Sequence, residues 1–188
     1  MAGTHDIDMI KEAIELARQC PVSSTAFCVG SMIQVNQETV ASGYSREYRG
    51  NTHAEEVALM KWLQIDEARE GQEDDARLDM ALSQGTLPKV KGTLTLYTTM
   101  EPCAVRLSGK STCAKRMEAL QKSLERSQPK AQLRVVVGGV EPDDLVKGAQ
   151  GSGTHYLREK GLEVVVVENE AVVASCLQVG RRDQVGGL

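Results

Sequence analysis

Thr93-Leu94-Thr95-Leu96-Tyr97-Thr98-Thr99-Met100-Glu101-Pro102-Cys103 is a threonine-rich run of alternating character that ends in a Pro-Cys turn. The alternation predicts a strand over 93–99. Ten positions after Cys103, Cys113 opens a segment to Leu124 that reads as a helix. The same succession of strand and helix recurs on both sides. Upstream, Ile7, Ile10, Ile14 and Leu16 fall at helical spacing over 7–19, and Pro21 ends the pattern. Ala26 to Val35 and Thr39 to Tyr44 are β-rich runs separated by Asn36-Gln37-Glu38, which predicts a hairpin. His53 to Leu63 reads as a helix with Thr52 as its N-cap and Glu55 in its first turn. Downstream, Leu133 to Val137 is a buried strand closed by Gly138-Gly139, followed by a helix over 154–160, Gly161 as its C-cap, and a last β-run over 162–167. Alternating strands and helices predict an α/β fold with helices covering the sheet.

Two stretches break this regularity. Residues 65–91 crowd Asp66, Glu67, Glu70, Glu73, Asp74 and Asp75 together, which reads as a solvated insertion with one helical stretch near 76–82. Residues 168–188 read as a C-terminal tail, helical to about Leu177 and then loose. The expected organisation is one domain over 1–167 carrying the insertion, followed by the tail.

Composition narrows the function classes. The 188 residues are 41% hydrophobic and 26% charged with a net charge of −4, which suits a single soluble domain. No apolar run approaches the length of a membrane span, and the start lacks the basic and apolar regions of a secretory signal, so a cytoplasmic protein without a membrane partner is expected. Five cysteines, an odd number, fit reduced thiols better than a disulfide framework. One Phe, one Trp and an acidic balance offer little for a nucleic-acid groove, so a small-molecule substrate is favoured.

His53 with Glu55 at one helix start, and Cys103 with Cys113 at the next strand-to-helix passage, carry metal-ligand chemistry. An imidazole and two thiolates suit Zn²⁺, and three protein ligands leave a fourth position for water, as catalytic zinc sites require. Helix N-termini would stabilise the thiolates. Glu55 then stands beside the water without ligating the metal. Taken singly, a His-Ala-Glu or a lone cysteine is uninformative; the combination in this order points to a zinc site. Cys20, Cys28 and Cys176 read as plain thiols, and His5 and His155 as solvent-facing.

His-x-Glu followed by Pro-Cys and a second Cys is the pattern of zinc deaminases of nucleobases, although the two cysteines stand wider apart here than in the common form. With Gly43-Tyr44-Ser45-Arg46-Glu47, Gly50-Asn51-Thr52-His53-Ala54-Glu55, Thr98-Thr99-Met100-Glu101-Pro102-Cys103 and Arg106-Leu107-Ser108-Gly109-Lys110, the chain resembles the fungal-type pyrimidine deaminases of riboflavin biosynthesis, within the cytidine deaminase-like superfamily. The resemblance runs from about 26 to 167 and includes Glu141-Pro142-Asp143. It implies a three-layer α/β/α fold around a mixed five-stranded sheet, a Zn²⁺ cofactor, and a homodimer. It also implies hydrolytic loss of the C2 amino group of 2,5-diamino-6-ribitylamino-4(3H)-pyrimidinone 5′-phosphate. Glu55 would be the catalytic acid and base, and Lys110 a substrate contact. Arg46 and Arg106 read as phosphate contacts or as surface charges, and Asn51 as a substrate contact or as a turn-shaping residue. Where bacterial relatives carry an Asn-Pro element this chain has Ala26-Phe27-Cys28, so base recognition should differ in detail; without a reductase region, a stand-alone deaminase is expected. The rivals are a cytidine, deoxycytidylate or tRNA adenosine deaminase of the same superfamily, and a scaffold protein stabilised by zinc.

Overall fold

Among the described residues, five strands form one sheet in the order β2-β1-β3-β4-β5. They are β1 (Gly30–Val35), β2 (Glu38–Tyr44), β3 (Thr93–Met100), β4 (Gln132–Gly139) and β5 (Glu163–Val166). In this computed structural model the described residues are 1–21, 23–67, 74–106, 108–140 and 152–181. β1 runs antiparallel to both β2 and β3, while β3, β4 and β5 are parallel, so the sheet is mixed. The hairpin turns at Asn36 and Gln37, both at positive φ, and the register shifts between Ile33 and Gln34.

Side chains alternate across β3 and β4, and each face of the sheet builds its own core. Leu94, Leu96, Leu133, Val135 and Val137 face one way. There they meet α2 (Ala54–Trp62), α3 (Asp74–Gln84), α4 (Cys113–Ser127) and α5 (Gly153–Glu159). Tyr97 and Val136 face the other way, under α1 (Thr4–Ala17) and α6 (Glu170–Gly180). The result is the expected α/β/α arrangement in three layers. Each fully buried leucine of these cores contributes about 1.5–3 kcal/mol to the fold.

Close approach fixes α2 on the sheet: a Cβ at Gly43 would come within 2.8 Å of the Ala58 backbone nitrogen, so only glycine lets β2 lie against this helix. α2 starts one residue later than expected, with His53 as the N-cap in place of Thr52. The Thr52 hydroxyl instead donates to the Tyr48 carbonyl, and the Glu56 carboxylate accepts from the His53 backbone N–H.

Two expectations change. The 65–91 insertion is not simply solvated, because α3 buries Leu78 and Leu82 in the larger core and Leu87 and Val90 follow them in. Its acids mislead because two of them, Asp75 and Asp79, turn toward buried arginine. The helix expected after 168 is present as α6, but it runs to Gly180 and not to about Leu177, and it buries Val172, Cys176 and Val179 beside α1. The Gly180 carbonyl accepts a 3.0 Å hydrogen bond from the Cys28 backbone N–H. Glu141-Pro142-Asp143 and the end of the chain from 182 lie outside the described residues.

Candidate metal centre and active site

β3 delivers Met100 to the carboxyl edge of the sheet, and the Glu101-Pro102-Cys103 turn leaves it there. α2 and α4 begin beside this turn. His53 stands at the N-terminus of one helix, and Cys113, just after the N-cap Thr112, at that of the other. The ligand atoms of His53, Cys103 and Cys113 all lie within 4.8 Å of one another, and His53 Nδ1 is 3.5 Å from each sulfur. Bond lengths of about 2.0 Å to nitrogen and 2.3 Å to sulfur at a tetrahedral angle put those atoms about 3.5 Å apart, so the cluster has the span that zinc requires.

The electrostatics agree. The Cys113 thiol and backbone N–H both hydrogen-bond to the Cys103 sulfur, the latter at 3.3 Å, and with the His53 imidazole they bring its pKa down to about 4 against the opposing effect of burial. Cys113, fully buried beside that sulfur and the Glu55 carboxylate, goes the other way and keeps its proton. Burial opposes the His53 imidazolium, but the hydrogen bond and charge of Cys103 outweigh it and raise the imidazole's pKa. One thiolate is thus already provided by the fold, and a cation would release the proton of the second.

Glu55 is the second residue of α2 and is buried. Its Oε2 lies 3.5 Å from Cys113 Sγ, and the Thr98 hydroxyl lies 3.4 Å from Oε1. Burial lifts its pKa to about 6, with the His53 charge pulling in the opposite direction. A carboxyl group poised there can both take and return a proton near neutral pH. A cleft of 380 Å³ opens onto it, walled by Phe27, Asn51, Met100, Val105 and Ser108.

A sequence profile of the cytidine and deoxycytidylate deaminase zinc-binding region matches residues 4–123. The chain belongs to this family. Among relatives of this chain, the diaminohydroxyphosphoribosylamino-pyrimidine deaminase of Schizosaccharomyces pombe is 33% identical over 174 residues, 93% of the chain. The match spans only 34% of that relative's length, about a third. The Rib2 deaminase of Aspergillus oryzae, a C-terminal deletion mutant at pH 4.6, superposes with a TM-score of 0.74 at 25% identity, covering 97% of this chain and 94% of that one. A structure of the same protein in complex with DARIPP gives 0.73 at 24% identity over 97% and 93% of the two chains. The deaminase/reductase of Thermotoga maritima gives 0.61 at 21% identity, over 93% of this chain and 40% of that one. Zinc is the cofactor of the deaminase family, and the His53, Cys103 and Cys113 donor set fits it.

The residues expected around the metal converge, and of the expected substrate contacts Arg46, Asn51 and Arg106 line the same cleft while Lys110 does not. Asn51 lines the cleft, and its carbonyl accepts from Arg106 at 2.8 Å. Arg106 also lines it, but its side chain is only 5% exposed and pairs with Glu56 at 3.1 Å. Arg46, at positive φ, donates to the carbonyls of Pro21 and Phe27 and to the sulfurs of Cys20 and Cys28, strapping the 21–28 wall in place. Lys110 is half-exposed and is held at 2.5 Å by Asp75, outside the cleft lining. Cys20, Cys28 and Cys176 are buried. His155 is exposed, whereas His5 is half-buried against Tyr97 and Gln34.

Three features escaped sequence reading. Arg116 is fully buried and pairs with Glu56, Asp75 and Asp79. It falls on the stripe of Cys113, Met117, Leu120 and Leu124, and an arginine on an apolar stripe demands carboxylate partners; that was the available signal. Asp75 and Asp79, four residues apart on one helix face, supply two of them. Glu101 was visible as part of the motif, but its job was not. Its Oε2 accepts from Ser152 Oγ (3.0 Å), the Thr154 N–H (3.2 Å) and Thr154 Oγ1 (3.2 Å), docking the Cys103 turn on the start of α5. A Cβ at Gly153 would overlap the Pro102 carbonyl oxygen, so the docking also needs glycine there.

Proposed function

We propose that this chain hydrolyses the C2 amino group from 2,5-diamino-6-ribitylamino-4(3H)-pyrimidinone 5′-phosphate, releasing ammonia and the pyrimidinedione, as a step in riboflavin biosynthesis. The observation that carries this reading is the buried Glu55 carboxyl beside Cys113, at the meeting point of His53 and Cys103. Membership of the zinc deaminase family supports the reaction class. The pyrimidine deaminase name of the S. pombe relative and the fold shared with the Rib2 deaminase support the substrate.

Bound by His53, Cys103 and Cys113, zinc would supply Lewis acidity that makes water a usable nucleophile near neutral pH. The chain's own residues move the protons. Glu55 accepts one proton from the attacking water and passes it to the ring nitrogen next to the attacked carbon; it then takes the second proton from the newly attached hydroxyl and delivers it to the departing amine as the C–N bond breaks and the carbonyl forms. The Thr98 hydroxyl, whose proton goes to the Met100 carbonyl at 2.9 Å, stands 3.4 Å behind Oε1 and can accept from the carboxyl when Glu55 is protonated. Met100, Phe27 and Val105 offer the base an apolar wall. Asn51, Arg46 and Arg106, which line the cleft, and Lys110, outside that lining, are the polar and cationic groups assigned to the ribityl chain and phosphate. A homodimer belongs to the same reading, and sedimentation of the purified chain tests it.

Ammonia release from the ribityl-pyrimidine phosphate, cytidine and deoxycytidine monophosphate, measured in parallel, tests the assignment. Turnover of the first substrate alone is expected; turnover of either nucleoside or nucleotide without it would replace this reading with the other branch of the family.

A further inference from the structure

The loop from 104 to 112 joins the two cysteine ligands, and its residues Val105, Arg106 and Ser108 wall the cleft. Its described residues contain no helix or strand, and it turns through Gly109 at a φ of 76°. Side-chain tethers must therefore fix its course. Arg106 binds Glu56 and the Asn51 and Ser111 carbonyls. The remaining tethers go to α3: Lys110 Nζ to Asp75 Oδ2 at 2.5 Å, Ser111 Oγ to Asp79 Oδ2 at 2.5 Å, and Arg106 Nη1 to Asp75 Oδ1 at 3.6 Å.

Behind these contacts Arg116, on the helix that Cys113 opens, ties the same two aspartates to Glu56, the neighbour of Glu55. Three cations, Arg106, Lys110 and Arg116, face three carboxylates, Glu56, Asp75 and Asp79. The cluster is neutral, buried at its centre, and touches every segment that contributes to the metal centre. Buried networks of this kind are poor sources of stability but fix geometry well, because each member has few alternative partners.

We infer that Asp75 and Asp79 are positioning residues: α3 of the charged insertion clamps the 104–112 loop and so sets the shape of the cleft for substrate. They touch neither the ligand atoms nor Glu55 and act through Lys110, Ser111, Arg106 and Arg116. The kinetic part of this inference rests on the proposed deaminase activity; its structural part does not.

The test uses the full zinc-loaded chain and compares it with the Asp75→Asn/Asp79→Asn double variant, Ser111→Ala and Asp79→Glu. Hydrogen–deuterium exchange of the 103–112 amides is read beside zinc content, kcat and KM. In the double variant, exchange over this loop is expected to rise about tenfold and KM about tenfold, with kcat within about twofold and zinc retained. Ser111→Ala should move exchange and KM in the same direction to a lesser degree, and Asp79→Glu, which keeps the carboxylate, should restore most of both. Ser111→Ala leaves the buried cluster whole, so it decides the matter if the double variant does not fold. Unchanged loop exchange with only a lower melting temperature, or faster exchange with unchanged KM, overturns the inference. If the unaltered chain releases no ammonia from the pyrimidine phosphate, the functional reading fails, while the exchange measurement still decides whether α3 clamps the loop.

Discussion

Arg116 Nη1 lies 3.0 Å from Glu56 Oε2, and both side chains are 1% exposed. The same guanidinium reaches Asp79 at 2.8 Å and Asp75. Charges so removed from water depend on one another, because an unpaired one has no solvent to fall back on. Replacing Arg116 with Met takes a partner from each of three carboxylates and leaves Arg106 and Lys110 to serve only Glu56 and Asp75. Urea unfolding should show a loss of about 3–5 kcal/mol, the range found when one partner of a buried pair is removed. Arg116→Lys should recover only part of it, since a point charge cannot fork toward three carboxylates.

Glu55 is assigned the proton transfers and no metal bond. Glu55→Gln preserves size and should lower the rate of ammonia release by about 10²–10⁴, the usual worth of a positioned acid or base. Metal analysis of the variant should give the zinc content of the unaltered chain. Full activity in a zinc-loaded Gln variant would remove Glu55 from the mechanism.

Cys103→Ser and Cys113→Ser test the donor set. Each leaves two of three ligands, so zinc should be lost on dialysis against a mild chelator that the unaltered chain withstands. Cys176→Ser, on the opposite face of the sheet, should keep its zinc.

Asp6 gives a pH dependence with a definite sign. Arg134 donates to both of its carboxylate oxygens at 2.7 and 2.8 Å, and the Gly3 N–H and Tyr97 hydroxyl add to this. The Arg134 hydrogen bonds, against burial, hold the Asp6 carboxyl below its ordinary value of 3.8. The unfolded chain therefore binds the proton more readily, so the stabilisation is complete above that ordinary value and disappears as pH falls through the lower folded one. Asp6→Asn should cost about 2 kcal/mol at neutral pH, a typical worth for charge-assisted hydrogen bonds. The difference should shrink toward zero in acid. A gap of constant size from pH 7 to pH 2 in chemical denaturation would contradict the assignment.

Sequence carried the local signals well and the long-range ones poorly. Period-two alternation over 93–99 and helical spacing over 7–19 and 113–124 mark β3, α1 and α4, because those patterns record which face is buried. His53, Glu55, Cys103 and Cys113 were legible because their spacing encodes the donor set. The helix near 76–82 was legible too, but the burial of α3 and of Arg116 was not, since a charged residue in the sequence has the same appearance whether it meets water or an opposite charge in the interior. The commitments of Arg46 and Arg106 were hidden for the same reason: each bonds backbone carbonyls that local pattern does not place.

The Cys28–Gly180 hydrogen bond joins the last helix to the segment that Arg46 straps beside the cleft. α6 contributes no reactive group, yet it acts as a buttress for the mouth of the cleft. Prising that helix from its bed, by a detergent, a binding protein or a bulky residue at Cys176, would loosen the threshold while the three donors stayed in place. Impairment of this protein could therefore leave its metal content untouched.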